Sequence, residues 1–189
     1  MFQATAYILI GGKSERFGSV KWQTILDGKS ILDRSWDTCS AFENRYVIGK
    51  EKPSNIGHSF IHDKLIIRAP INGLYTALEH TNTDWLLLLS CDLPLIIPNI
   101  FQQLWEANTD EFDAVIPLVN GRKQVTCALY HKRILKYVNQ QISLKEFSLH
   151  EVVNSIKSCW VNMSKYKMEF TNMNSRKDYE MITKMIKQS

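Results

Sequence analysis

Five consecutive apolar residues, Trp85-Leu-Leu-Leu-Leu89, form an apolar run that no other stretch of the chain exceeds, and Ser90-Cys-Asp-Leu-Pro94 follows it directly. A strand that is apolar at every position has no wet face. It belongs in the middle of a sheet covered on both sides. That requirement alone narrows the fold to one in which helices pack on both faces of a central sheet.

The rest of the chain supplies those layers. Ala6–Ile10, Arg45–Gly49, Ser59–His62, Asp113–Leu118, Gln124–Tyr130 and Ser158–Met163 read as further strands. Apolar residues at helical spacing predict helices over Ser30–Phe42, from Asn72 or Gly73 to His80, and over Pro98–Ala107. Others are predicted over His131–Gln140, over Leu149–Ile156 and after Ser175, where Asp178 three residues on completes a capping box. Asp27-Gly28 and Asn120-Gly121 mark tight turns. Strands alternating with helices predict an α/β fold of three layers, α/β/α, around a mostly parallel sheet. With no repeat, low-complexity run or linker, residues 1–189 read as one domain.

In such sheets ligands bind beyond the carboxyl ends of the strands, which directs attention to the loops after Ile10 and Ser90. The first reads Leu-Ile-Gly-Gly-Lys-Ser-Glu-Arg-Phe-Gly-Ser-Val-Lys over residues 9–21. Gly11 and Gly12 let a ligand lie against backbone N–H groups, and Lys13, Arg16 and Lys21 are spaced to surround a polyphosphate. The loop is not a P-loop, because five residues separate Gly12 from Gly18 and Ser19 follows where lysine is required. It is not a dinucleotide fingerprint either, since Gly-x-Gly-x-x-Gly is absent. It reads as a cradle for a nucleoside triphosphate. In the second loop, Asp92 leaves the core just past the apolar run and faces the same crevice. One carboxylate opposite a phosphate cradle suits Mg²⁺, which keeps several waters and takes one or two carboxylates plus substrate phosphate oxygens.

Composition removes other classes. The apolar runs fall far short of the ~18 residues of a membrane span. Met-Phe-Gln-Ala-Thr lacks the basic start of a signal peptide, which places the chain in the cytoplasm. Cys39, Cys91, Cys127 and Cys159 are widely separated and the histidines lack ligand spacing, so no zinc site is expected; the cysteines read as buried free thiols. Seven Lys/Arg and three Asp/Glu fall within 157–189, and the remaining residues balance at sixteen of each sign. That mild basic tail, without interleaved aromatics, does not indicate a nucleic-acid partner.

Four motifs, in order along the chain, then carry a family resemblance. Residues 9–21 match Leu-Ala-Gly-Gly-x-Ser-x-Arg-Met/Phe-Gly-x-x-Lys. Ala69-Pro-Ile-Asn-Gly-Leu74 echoes Gly-Pro-Leu-Ala-Gly-Leu, and Cys91-Asp-Leu-Pro94 matches Cys-Asp-Met/Thr-Pro. Asn172-Met-Asn-Ser-Arg-Lys-Asp178 is similar to Asn-x-Asn-Thr-Pro-Glu-Asp. Together they resemble the nucleotidyltransferases of molybdenum cofactor maturation, most closely the molybdenum cofactor guanylyltransferases. The resemblance implies a fold like that of the nucleotide-diphospho-sugar transferases. It implies transfer of GMP from GTP to molybdopterin, with release of pyrophosphate.

By the same resemblance, Leu9, Ile10, Gly11 and Gly12 contact the guanine nucleotide through the backbone. Lys21 and Arg16 neutralise phosphate charge, Asp92 holds Mg²⁺, and Asp63 helps bind the nucleotide. Asn172 and Asn174 line the side of the second substrate or metal. The expected partners are GTP and molybdopterin, with transient contacts to the proteins that deliver molybdopterin and receive the product. Lys165, Lys167 and Arg176 are candidates for the acceptor phosphate. The family's nucleotide-binding asparagine after the second strand has no counterpart in Ile48-Gly49-Lys50, and Ala69 and Asn72 depart from the second motif. Transfer from CTP, another acceptor phosphate, and nucleotide binding without turnover remain the alternatives.

Overall fold

The computed structural model describes residues 1–11 and 20–188. Strand β1 (Phe2–Leu9) opens the chain, and a 3-10 turn at Lys21–Gln23 leads into a hairpin of β2 (Ile25–Leu26) and β3 (Lys29–Ser30). Asp27 and Gly28 turn that hairpin with φ of 51° and 77°, as an Asp-Gly turn requires. Helix α1 (Ile31–Thr38) follows, with the Ser30 hydroxyl accepting from the Asp33 amide at its start. It is shorter than the predicted Ser30–Phe42. Phe42 instead opens β4 (Phe42–Gly49), where it pairs with Phe2.

Strand β5 (Phe60–His62) precedes α2 (Pro70–His80). This helix begins before Asn72 because Pro70 occupies its first turn, where a missing N–H costs nothing. Strand β6 (Trp85–Ser90) lies as predicted, and α3 (Pro98–Glu106) follows it. Next come β7 (Ala114–Val119) and β8 (Arg122–Lys123), joined at Asn120-Gly121, and then β9 (Cys127–His131). The predicted strand over Gln124–Tyr130 therefore begins late, after a turn at Gln124–Thr126. A 3-10 turn at Lys132–Ile134 leads into α4 (Leu135–Ser143), and α5 (Leu149–Asn154), β10 (Ser158–Asn162) and α6 (Arg176–Gln188) complete the chain.

The main sheet runs β10-β7-β9-β6-β1-β4-β5, with β8 attached to β7. Strand β9 is antiparallel to both neighbours and β8 to β7; the other pairings are parallel. Alternate residues of the central strands feed two cores. Ala6 and Ile8 of β1 and Leu87 and Leu89 of β6 face the layer built by α1, α3 and α6. Tyr7, Leu86 and Leu88 face α2, α4 and α5. Each of Leu86–Leu89 is fully buried, so the apolar run is central because both its faces are covered. Cys39, Cys91 and Cys127 are buried, as expected; Cys159, on the edge strand β10, is half-exposed. Among the described residues no helix is long and apolar enough to cross a membrane.

Candidate active site

Parallel pairing brings the ends of β1 and β6 together. Leu9 is in register with Ser90, and the Cys91 amide continues the stitch by donating to the Leu9 carbonyl at 3.1 Å. Asp92 is the first carboxylate beyond that seam. On the other side of β1, Ile10 N–H donates to the Ile48 carbonyl at 3.0 Å. Leu9, Ile10 and Gly11 thus reach the carboxyl edge between the tips of β4 and β6. Helix α2 sits close against this point: a Cβ on Gly73 would lie 2.5 Å from Leu9 Cδ2.

Two other pieces of chain bring side chains to Asp92's position. Lys21 stands on the 3-10 turn, where neighbouring Trp22 packs against the α1-side core and the Thr24 amide donates to the Lys21 carbonyl. Asn174 is set by what flanks it. Buried Met173 donates its N–H to the Asp92 carbonyl at 2.8 Å. Beyond it, the Asp178 carboxylate accepts from the amides of Asn174 (2.9 Å) and Ser175 (2.8 Å), and the Asp178 amide donates to Ser175 Oγ (3.2 Å). This is the reciprocal capping box read from the sequence. Tyr179 Oη then donates to the Ile25 carbonyl, tying α6 to the hairpin beyond Lys21.

Within this frame Lys21 Nζ donates to Asn174 Oδ1 at 3.0 Å and lies 3.9 Å from Asp92 Oδ2. The Lys21 and Asp92 side chains are only 14% and 22% exposed, so their charges interact in a partly dry setting. Asp92 Oδ1 is buried and accepts no hydrogen bond among the described residues. Buried polar atoms are nearly always paired, so this carboxylate oxygen beside a lysine makes the seam a candidate cation or ligand site. Neighbouring Cys91 is no nucleophile, because burial and the adjacent Asp92 carboxylate push its thiol up to about 12.

The other predicted residues divide. Asp63 lies on the same carboxyl edge, its amide donating to the Gly49 carbonyl at 2.9 Å. Burial raises its pKa, partly offset by Lys50. Asn172 is exposed beside the anchored Met173. Lys165 lies over the Tyr166 ring, and Arg176 pairs with Glu180; neither is drawn to Asp92 by a contact among the described residues. Gly12, Lys13 and Arg16 lie outside the described residues.

One residue of the edge was not singled out for a role from the sequence. Asn72 is a buried polar side chain on α2. Its amide donates to the carbonyls of Leu65 (2.7 Å) and Ile67 (3.1 Å), and its oxygen accepts from Leu65 N–H (3.1 Å). It latches the segment after Asp63 onto α2. The departure from the family motif is thus a brace for the loop that carries Asp63. A polar residue among the apolar positions of α2 was the available signal.

Comparison with known proteins gives the family and the fold. A sequence model of the MobA-like NTP transferase domain matches residues 6–158. A protein of Bacillus subtilis named probable molybdenum cofactor guanylyltransferase is 29% identical over 186 residues, covering 91% of this chain and 90% of that one. One of the same name from Natranaerobius thermophilus is 28% identical, covering 96% of each. Among solved structures, molybdopterin-guanine dinucleotide biosynthesis protein A from Archaeoglobus fulgidus superposes with a TM-score of 0.84 at 18% identity, over 98% of this chain and 100% of that one. The 2-C-methyl-D-erythritol 4-phosphate cytidylyltransferase of Thermus thermophilus gives 0.75 at 14%, over 98% and 100%. These structural likenesses establish the nucleotidyltransferase fold. With the sequence match spanning four fifths of its length and running through the loop at β1 and Asp92, the chain belongs to the MobA-like NTP transferase domain family.

Proposed function

We propose that this protein transfers GMP from GTP to molybdopterin or its molybdenum-bearing cofactor, forming the guanine dinucleotide and releasing pyrophosphate. The observation that carries the reading is the meeting of Lys21, Asn174 and the unsatisfied Asp92 carboxylate at the tip between β1 and β6. The names of the full-length relatives supply the substrates.

Asp92 fits Mg²⁺. It offers one hard anionic oxygen with no competing donor among the described residues, and the triphosphate provides the remaining charged ligands. When bound, Mg²⁺ supplies charge neutralisation at the α-phosphate. The protein's own groups do the rest. The backbone of Leu9–Gly12 holds the nucleotide, with Asp63 assisting from the end of β5. Lys21 exchanges Asn174 for phosphate oxygen and offsets charge on the departing pyrophosphate, a role Arg16 shares. Asn174 and Asn172 face the acceptor. An acceptor phosphate oxygen attacks the α-phosphorus in line, the new P–O bond forms, and the bond to the β-phosphate oxygen breaks. That nucleophile is already anionic, so no general base is required, and positioning with electrostatics accounts for the catalysis. The reaction is read as cytoplasmic, with transient contacts to proteins that supply molybdopterin and take the product.

The test is reconstitution with GTP, MgCl₂ and molybdopterin, measuring dinucleotide and pyrophosphate. A thermal-shift panel of GTP, CTP, UTP and ATP with Mg²⁺ accompanies it. GTP-selective stabilisation with product supports the reading. CTP selectivity moves the chain to cytidylyl transfer, and nucleotide binding without pyrophosphate release assigns it a binding role.

A further inference from the structure

Transfer between two bound substrates needs two compartments that meet at the reacting phosphorus. The β1 side of the carboxyl edge, with Ile10, Gly11, the Gly49 tip and Asp63, makes one. The other side of α2 holds a cavity of about 360 Å³, bordered by Pro70, Lys123–Thr126 and Phe147–His150, within the size range of small-molecule sites.

Topology puts this cavity beside Asp92. Because β9 runs against β6, the turn before β9 lies at the carboxyl end of β6. There the Thr126 carbonyl accepts from Ser90 N–H at 2.7 Å, two residues ahead of Asp92. The rim at Pro70 is the first turn of α2, which also packs on Leu9 and braces the Asp63 loop. The cavity and the nucleotide side thus share one wall and open at one seam.

Its chemistry suits a flat, hydrogen-bonding heterocycle. Phe147 is an exposed aromatic ring on the border, 37% accessible, and exposed aromatics are platforms for planar rings. Polar residues Gln124, Thr126, Ser148 and His150 share the border with it; Lys123 also borders it, its ammonium held by Asn154 and lying over the Trp160 ring. Among the described residues the backbone amides of Val125 and Thr126 donate to no protein acceptor. A pterin ring presents both donors and acceptors along its edge, and such a border answers both.

We infer that this cavity is the acceptor compartment, receiving the pterin ring while the acceptor phosphate reaches across Ser90 to Asp92. The inference rests on the function proposed above and adds to it the residues that select the acceptor. Two variants test it, Phe147→Ala and Ser148→Trp. Both positions are exposed, and the Ser148 side chain makes no capping bond to α5, so folding is preserved. Wild-type protein is assayed first, since loss of turnover there refutes the function and not the compartment. Each variant is expected to raise KM for molybdopterin about tenfold or more and to leave the GTP dissociation constant within about twofold by calorimetry. A soluble pterin, 6-hydroxymethylpterin, is expected to lose fluorescence on binding wild type with Mg²⁺·GTP present, and to do so much less with Ser148→Trp. Weakened GTP binding with an unchanged acceptor KM assigns the cavity to the nucleotide and overturns the inference. So does a wild-type acceptor KM in both variants.

Discussion

Replacing Asp92 by Asn separates a functional carboxylate from a structural one, because the first role predicts little change in stability and the second a large loss. The Lys21–Asp92 pair at 3.9 Å has a gross attraction of about 4 kcal/mol at an effective dielectric of ~20, most of which desolvation offsets. Lys21 also keeps its bond to Asn174 in the variant. Against the pair stands Asp92 Oδ1, buried without a donor among the described residues, at a cost of about 1–3 kcal/mol. Asparagine removes the charge and keeps the shape, so the balance stays within about 1 kcal/mol. For a chain of this size that is a Tm change of about 2–4 °C in either direction.

Function behaves differently. Losing one preorganised electrostatic contact lowers kcat by about 10²–10³-fold. Mg²⁺·GTP at a hundred times its Kd stabilises wild type by about 2.7 kcal/mol, or roughly 5–10 °C, and the variant is expected to lose most of that Mg²⁺-dependent shift. Thermal denaturation with and without Mg²⁺·GTP, alongside a pyrophosphate-release assay, measures both. An Asp92→Asn protein that melts more than ~10 °C lower would show that the carboxylate is half of a structural ion pair. One that turns over at the wild-type rate would remove it from the chemistry.

Chelating divalent cations with EDTA is expected to abolish the GTP-dependent rise in Tm while leaving the free protein unchanged, which differential scanning fluorimetry can follow. Asp178→Ala breaks the capping box that sets Asn174; it should cost about 1 kcal/mol, or 2–4 °C, and weaken GTP binding. The Asp178 pKa is lowered, first by the Asn174 amide. Its contribution is therefore full above the ordinary aspartate value and disappears as pH falls through the depressed one. The gap between wild type and variant should close below pH ~4, and chemical denaturation across pH 2–7 checks this. Asn72→Ala leaves the Leu65 and Ile67 backbone groups without their partner. A loss of about 2 kcal/mol and faster hydrogen exchange over residues 64–67 are expected, with a higher GTP Kd and nearly unchanged kcat.

Local chemistry wrote much of this molecule plainly. Leu86–Leu89 could satisfy their burial only in a central strand, so the layered fold followed. Asp27-Gly28, Asn120-Gly121 and the Ser175–Asp178 box are short-range devices whose geometry depends on a few neighbouring residues, and they stand where their residues placed them. Element ends were legible only where such a device marks them. Phe42 left helix for strand because Phe2, forty residues earlier, was its pairing partner, and Pro70 opened α2 because a first helical turn has no use for its missing N–H. Lys21, Asp92 and Asn174 were each visible as polar residues at loop positions. Asp92 and Lys21 were expected to share one crevice; the contacts that join them, Lys21 to Asn174 and the Met173 amide to the Asp92 carbonyl, were not legible, because they depend on how β1, β6 and α6 pack. Asn72 becomes a brace only once the segment around Leu65 and Ile67 folds onto α2, and the cavity at Phe147 exists only once the antiparallel β9 carries its leading turn to the carboxyl edge. Sequence determined which groups were available and which stretches had to be buried. Tertiary structure decided which of them meet, since contacts between distant segments are set by sheet order and layer packing, quantities no local window contains.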